Sequence, residues 1–276
     1  MVKRNYGWLH DIPDQRDVLY KRPLRLFLPS IVDLRPVCSP VEAQGDLGSC
    51  TAQALAGNME YLDRKMDGVH SDVSRLFIYY NERKIEGTVN EDSGAYIRDG
   101  IKTLAKEGAC SEELWPYSIA RFKDRPGADC YSDGLTRRIS TYQRLSGIDD
   151  MFACLADGYP VVFGIPIYES FEMDDIGIIP VPEQNEIMLG GHAMCAVGYD
   201  RDKKWFIVRN SWGVDFGDKG YCYIPFDYMK QAEDRWTIRK LKEEGDEEGN
   251  SNGGNGCFVK RGLQRFVRRH IRATTC

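Results

Sequence analysis

Three short stretches, far apart in the chain, constrain the fold more than anything else in it. The first is Gln44-Gly45-Asp46-Leu47-Gly48-Ser49-Cys50, which runs straight into helix-forming Thr51-Ala52-Gln53-Ala54-Leu55-Ala56. The others, Gly190-Gly191-His192-Ala193 and Asn210-Ser211-Trp212-Gly213, lie among short apolar runs that read as strands. A cysteine, a histidine and an asparagine serve one another only within hydrogen-bond reach, the base being oriented by the third group. The chain must therefore fold so that the start of a helix near residue 50 faces a sheet near residues 192 and 210.

The chemistry explains the residue types. A thiolate, not a thiol, is the nucleophile, and a free cysteine with a pKa of about 8.5 is mostly protonated at neutral pH. The first turn of a helix and a neighbouring imidazolium both favour the thiolate. Ser49 stands where an N-cap would, and Ala52, Leu55, Ala56, Met59 and Leu62 predict a core-facing stripe on the helix. His192 is then the candidate base and acid, Asn210 its orienter, and Trp212 a cover over the bond between them. Gln44, with the Cys50 backbone N–H, offers donors to a developing oxyanion. A lone cysteine before an alanine-rich helix is ordinarily a small buried hydrophobe. The glutamine six residues earlier, the Gly-Ser lead-in and the ordered His and Asn motifs set this one apart. His10, His70 and His270 lack such contexts and read as surface or structural residues.

Composition bounds the rest. A chain of 276 residues with 42% apolar content can bury a substantial core as one large domain or two lobes. No apolar run approaches the length needed to span a bilayer, and the first residues lead into no signal-peptide core, which leaves the cytoplasm or a Sec-independent export route. The net charge of -5 gives no support to nucleic-acid binding, and a monomer is expected. Nine cysteines, an odd number without a C-x-x-C pair, speak against a zinc site and an oxidised framework. Cys38, Cys110, Cys154, Cys195 and Cys222 are read as reduced core fillers, and no metal or cofactor is expected.

Four regions follow from the pattern. Residues 1–30 form an extension with Pro13, Pro23 and Pro29 and apolar Tyr6, Trp8, Leu9 and Ile12, too apolar for a purely disordered tail. From about 31 to 125 the chain reads as mainly helical, with periodic stretches at 50–66 and 94–107. From about 126 to 240 it turns to strands at Pro160–Ile167, Ala193–Tyr199, Trp205–Arg209 and Gly220–Pro225. Residues 241–276 comprise an acidic Gly/Asn-rich linker and a basic tail; within the tail, 257–276 carry six Lys or Arg and no acid. That tail suits weak contact with an anionic surface or a partner, or folding back onto an acidic body. The fold class is α+β: a helical lobe carrying Cys50 packed against an antiparallel, barrel-like β lobe carrying His192, with the site in the cleft between them.

These motifs resemble the papain family of cysteine peptidases, and more closely its short bacterial, xylellain-like branch. The resemblance covers roughly Pro29 to Ile238 and includes Val32-Asp33-Leu34-Arg35, Trp115-Pro116-Tyr117 and Gly217 to Gly220-Tyr221. Two departures stand out. The family's cysteine three residues before the nucleophile is Leu47, and the aromatic after it is Thr51, which predicts one missing disulfide and a less shielded helix start. The resemblance implies cleavage of a peptide or protein substrate lying extended along Ser93, Gly94 and Ala95. It also implies a pocket for the second residue before the scissile bond, walled by Tyr96 or Ile97 with Gly164, Gly191 and Ala193, and roomy enough for a bulky apolar or aromatic side chain. No insertion of the kind that closes one end of the cleft is visible, so an endopeptidase is expected. An acyltransferase and a silent binding module are the alternatives. Family members commonly carry a far longer pro-segment along the cleft. At about 3.3 Å per extended residue, residues 1–30 still reach on the order of 100 Å, far enough to occlude the cleft or to act as a strap over apolar surface.

Overall fold

The computed structural model describes residues 4–23, 28–172 and 176–240. The acidic linker and basic tail of 241–276 lie outside the described residues.

Helix α1 (Cys50–Asp67) is the centre of the molecule. The sequence predicts one apolar stripe, yet every residue from Cys50 to Leu62 is buried. Small side chains explain this, since Ala52, Ala54, Ala56 and Gly57 allow neighbours to approach on all faces. At Gly57 an added Cβ would lie 2.7 Å from Nε of Arg209, whose guanidinium lies against the helix and donates to the carbonyls of Ser39 (2.5 Å) and Pro40 (2.6 Å). The helix ends at Gly68, which takes the left-handed conformation that glycine adopts without steric cost. Against α1 pack α2 (Arg75–Glu86) and α3 (Ile97–Lys106). Helix α2 is capped by Ser74, whose Oγ accepts from Phe77 N at 3.2 Å.

The strands in chain order are β1 (Trp8–Leu9), β2 (Ile31–Asp33), β3 (Ala95–Tyr96), β4 (Thr141–Arg144), β5 (Val161–Tyr168), β6 (Met188–Asp200), β7 (Trp205–Arg209), β8 (Tyr221–Pro225) and β9 (Glu233–Arg239). Seven form one antiparallel sheet in the order β4-β9-β5-β6-β7-β8, with β2 on the far end of β6. β6 reaches beyond β5, so its residues 198–200 pair with β2 instead. The mixed α+β architecture is the one expected, and among the described residues the sheet does not close into a complete barrel. A fourth helix, α4 (Ala128–Gly134), packs beside α2 through Tyr131, whose ring lies 5.0 Å from that of Phe77, and a fifth, α5 (Ile148–Ala156), packs against β5 and β6.

Alternation along the strands divides the core in two. Val162, Ala193, Cys195, Val197 and Ile207 face the helices of the first lobe. Val161, Phe163, Ile165, Met194, Ala196 and Val208 face a second cluster with Phe171, Met151 and Tyr228. Burial on both faces is why β5 reads as an uninterrupted apolar run.

Candidate active site

Packing α1 end-on against β6 brings the three motifs together. Cys50 opens α1 and is wholly buried; its Sγ accepts the backbone N–H of Ala193 at 3.3 Å. His192, also wholly buried, has Nε2 at 2.8 Å from Asn210 Oδ1. Trp212 stacks on the imidazole with ring centroids 5.1 Å apart. His192 Nδ1 and Asn210 Nδ2 make no hydrogen bond among the described residues. With Nε2 committed to Asn210, Nδ1 is the ring nitrogen left for chemistry.

Gln44 is held on every side. Its N–H donates to Ser211 O (2.8 Å), its carbonyl accepts from Tyr117 OH (2.8 Å), and its Oε1 accepts from Ser211 Oγ (2.6 Å). The amide orientation is thereby fixed with Nε2 as donor, directed at Leu47 O (2.9 Å) and Asn5 O (3.4 Å). Ser49 occupies the N-cap position but makes no side-chain cap; its hydroxyl pairs with Tyr117 OH at 2.7 Å.

The N-terminal segment, hereafter the strap, lies in this site. Arg4 sits 4.1 Å over the Trp212 ring and pairs with Glu172 at 3.6 Å, and Tyr6 OH donates to the same carboxylate. The Gly7 N–H points at Cys50 Sγ, and its carbonyl accepts from Ala95 N at 2.8 Å. β1 then pairs parallel with β3, Trp8 opposite Ala95. The fit is tight enough to dictate residue type. A Cβ on Gly7 would fall 1.8 Å from Gly48 O, and one on Gly164 would fall 1.9 Å from the Trp8 ring. The sequence predicted a helix start less shielded through Leu47 and Thr51. Instead both residues are buried, Thr51 donates to Glu82 Oε2 at 2.8 Å, and the strap covers Cys50.

Of the expected pocket residues, Gly164, Gly191 and Ala193 surround Trp8 or lie beside it on β6. Ile97 is fully buried in the same cluster, and Tyr96 is half-buried with its N–H donated to Glu86 Oε1 at 2.9 Å. Ser93 turns its hydroxyl to Thr88 Oγ1 at 2.9 Å. The strap contacts, Glu172 and Asp234 were not legible as site residues; only the apolar spacing of Tyr6 and Trp8 hinted at docking.

Burial governs the electrostatics. It pushes the Cys50 thiol up to about 12 against the opposing pull of the Ala193 and Gly7 N–H groups. It holds His192 down at about 4, with Asn210 pulling the other way and Arg4 adding to the depression. Both shifts favour the neutral thiol and imidazole while the strap is in place. Elsewhere, Glu42, Glu60 and Asp72 bring carboxylate oxygens within 4.8 Å of one another. Arg75 already pairs with Glu42, and Ser39 and Val73 N donate to Glu60.

Among the described residues Cys38, Cys50, Cys110, Cys130, Cys154 and Cys195 are free thiols.

Comparison with known proteins agrees with this geometry. The papain family cysteine protease model matches residues 28–235, and the chain belongs to that family: it is a thiol protease, a hydrolase acting on peptide or protein substrates. The solved structure of xylellain, a cysteine protease from Xylella fastidiosa, matches with a TM-score of 0.82 and 42% identity, covering 87% of this chain and 97% of that one. An uncharacterized peptidase C1-like protein of Acanthamoeba polyphaga mimivirus is 37% identical, over 88% of this chain and 89% of its own length. Chymopapain of Carica papaya is 25% identical, over 76% of this chain and 58% of its own.

Proposed function

We propose that the chain is a cysteine endopeptidase with Cys50 as nucleophile, His192 as base and acid, Asn210 as orienter and Gln44 as oxyanion donor. The observation that carries this is the 2.8 Å His192 Nε2 to Asn210 Oδ1 bond beneath Trp212, which leaves Nδ1 free, while the N–H of the next residue, Ala193, meets Cys50 Sγ at 3.3 Å. The thiol proton passes to His192 Nδ1 as Sγ bonds to the scissile carbonyl carbon. The C–N bond then breaks, the amine leaves with that proton, and a thioester remains. Water gives a proton to His192, its oxygen displaces sulfur, and the thiol is restored. Gln44 Nε2 and the Cys50 N–H hold the oxyanion at both tetrahedral stages.

In the same reading residues 1–30 are a cover and 31–240 the peptidase domain, its helical part ending near 125. The cover places the Asn5 carbonyl near Gln44 Nε2, the donor that the oxyanion requires. It passes from Trp212, across Cys50, to Gly164, so a single extended chain occupies the cleft on both sides of the nucleophile, as an endopeptidase needs. A substrate whose second residue before the scissile bond filled the Gly164 pocket would run in the opposite direction. The strap thus presents its peptide bonds in reverse.

The test is hydrolysis of fluorogenic peptides by the full-length protein, with and without a cysteine-directed epoxide. Cys50→Ala is expected to lose activity on the order of 10⁶-fold, and His192→Ala nearly as much. Activity surviving in Cys50→Ala removes the assignment.

A further inference from the structure

The strap fills the pocket beside Gly164 with a tryptophan, and the floor of that pocket is built in an unusual way. Where β9 meets β5, Val162 pairs with Trp236 but Gly164 pairs with Glu233, so Asp234 and Arg235 stand opposite the single residue Phe163. This is a β-bulge, a device that re-aims side chains and recurs beside active sites. Asp234 takes its first position at φ 45, a left-handed conformation ordinarily left to glycine. It is 3% exposed. A strained, buried carboxylate is a feature that surrounding structure must hold in place.

Its two oxygens are used differently. Oδ1 accepts from Arg144 Nη2 of the body at 3.0 Å. Oδ2 accepts from Trp8 Nε1 at 3.2 Å and Asp11 N at 2.7 Å, both strap donors. When the strap withdraws, Oδ2 is left at the pocket floor without a partner. The charge around it also changes, because strap residue Asp17 pairs with Arg98 (2.6 Å) and Arg144 (3.1 Å) and departs too. Arg144 stays paired with Asp234 at 3.0 Å, so the carboxylate's charge remains offset and its open oxygen calls for a neutral N–H donor rather than a second cation.

We infer that Asp234 is the specificity-determining residue of this pocket and selects a neutral aromatic side chain carrying an N–H donor, tryptophan foremost, at the second residue before the bond cut. The inference rests on the peptidase reading and sharpens its substrate class. Phenylalanine is a smaller aromatic without an N–H and leaves a buried carboxylate oxygen unpaired, and sites built to receive a hydrogen bond reject analogues that lack it.

The test compares kcat/KM of the full-length wild-type protein for peptides differing only at that residue: Trp, Phe, Leu and Arg. Strap closure lowers every rate by the same competent fraction and cancels in the ratios. Trp is expected to exceed Phe by roughly ten- to a hundredfold, the worth of a hydrogen bond to a charged group. In Asp234→Gly, where glycine suits the backbone, the ratio should fall to near one. In Asp234→Asn, which keeps the shape, it should fall in between. Preference for Arg or Leu over Trp, or an unchanged ratio in Asp234→Gly, overturns the inference. Titrating the same peptides into full-length Cys50→Ala separates the two readings. Selective binding of the Trp peptide by Cys50→Ala, with none of the peptides cleaved by the wild type, refutes the peptidase and retains the pocket. Cleavage and binding without selectivity do the reverse.

Discussion

The floor of the cleft and the strap lying in it are held by different kinds of force. Cys50, His192 and Asn210 belong to a helix buried on all faces and a sheet buried on both, so their positions are over-determined by packing. The strap's strand pairing is short, Trp8 and Leu9 on β3 and Leu19 beside Arg144, and it leaves Ile12, Val18 and Leu19 more than half exposed. Its anchors are separate contacts strung along the segment: Arg4 and Tyr6 on Glu172, the Gly7 contact, the buried Trp8 indole, the carboxylates of Asp11 and Asp17, the buried Tyr20 ring and Arg22 on Asp150. Burying one large apolar side chain is worth about 1.5 to 3 kcal/mol, roughly ten- to a hundredfold in occupancy. In the proposed reading such a cover excludes water and stray peptide and yields to a well-fitted substrate. Low local stability is what a moving element requires.

The sharpest probe of the rigid side is Gln44→Ala. Loss of an oxyanion donor is expected to lower kcat by about 10² to 10³, with little change in KM. A rise in KM alone would place Gln44 in substrate binding instead. On the mobile side, Gly7→Ala drives a Cβ to 1.8 Å from Gly48 O, a backbone atom that cannot yield. The strap should lift, raising kcat/KM roughly tenfold through a larger competent fraction, with a small fall in Tm. A large loss of stability without any gain in activity would make the strap a structural member of the fold and erase the contrast.

The smallest effect is on pH. Burial first, then the Asp234 carboxylate, pushes docked Asp11 up to about 6 against Trp236, which donates to it at 2.8 Å, and Arg98. Asp234 is likewise raised by burial against the pull of Arg144, Trp8 and His10. A carboxyl raised on docking favours the docked state when protonated. That contribution is complete below its ordinary pKa of about 3.9 and is lost as pH rises through the docked value. The strap should therefore grip harder near pH 4 than near pH 7. In wild type kcat/KM should rise a few-fold more across that window than in Asp11→Asn, where the titration is absent. A constant ratio of the two profiles would take Asp11 out of the latch.

Parts of this architecture were legible in advance because local pattern and tertiary role coincided. The helix at 50–66 and the strands near 160–167, 193–199, 205–209 and 220–225 announced themselves by apolar periodicity, and each forms within a few residues of the expected bounds. Helix α2 was missed because Leu76-Phe77-Ile78-Tyr79-Tyr80 is apolar on every face, although Ser74 as cap and Gly87 as terminator were available signals. β9 was missed because its bulge breaks the alternation and Glu233-Asp234-Arg235 reads as a solvated charge cluster. Asp234 is buried only because Arg144 from β4 and donors from the strap converge on it.

By itself the sequence determined the family and the fold class and supplied the candidate residues for the chemistry, because each rests on short motifs whose backbone context is local. The tertiary structure alone decided that α1 is enclosed on all sides, that the sheet stays open, and that residues 4–11 lie in the cleft with Trp8 on Asp234. Those outcomes depend on contacts between segments up to 226 residues apart. Their energy comes from mutual burial and paired charges, which no window of the chain contains.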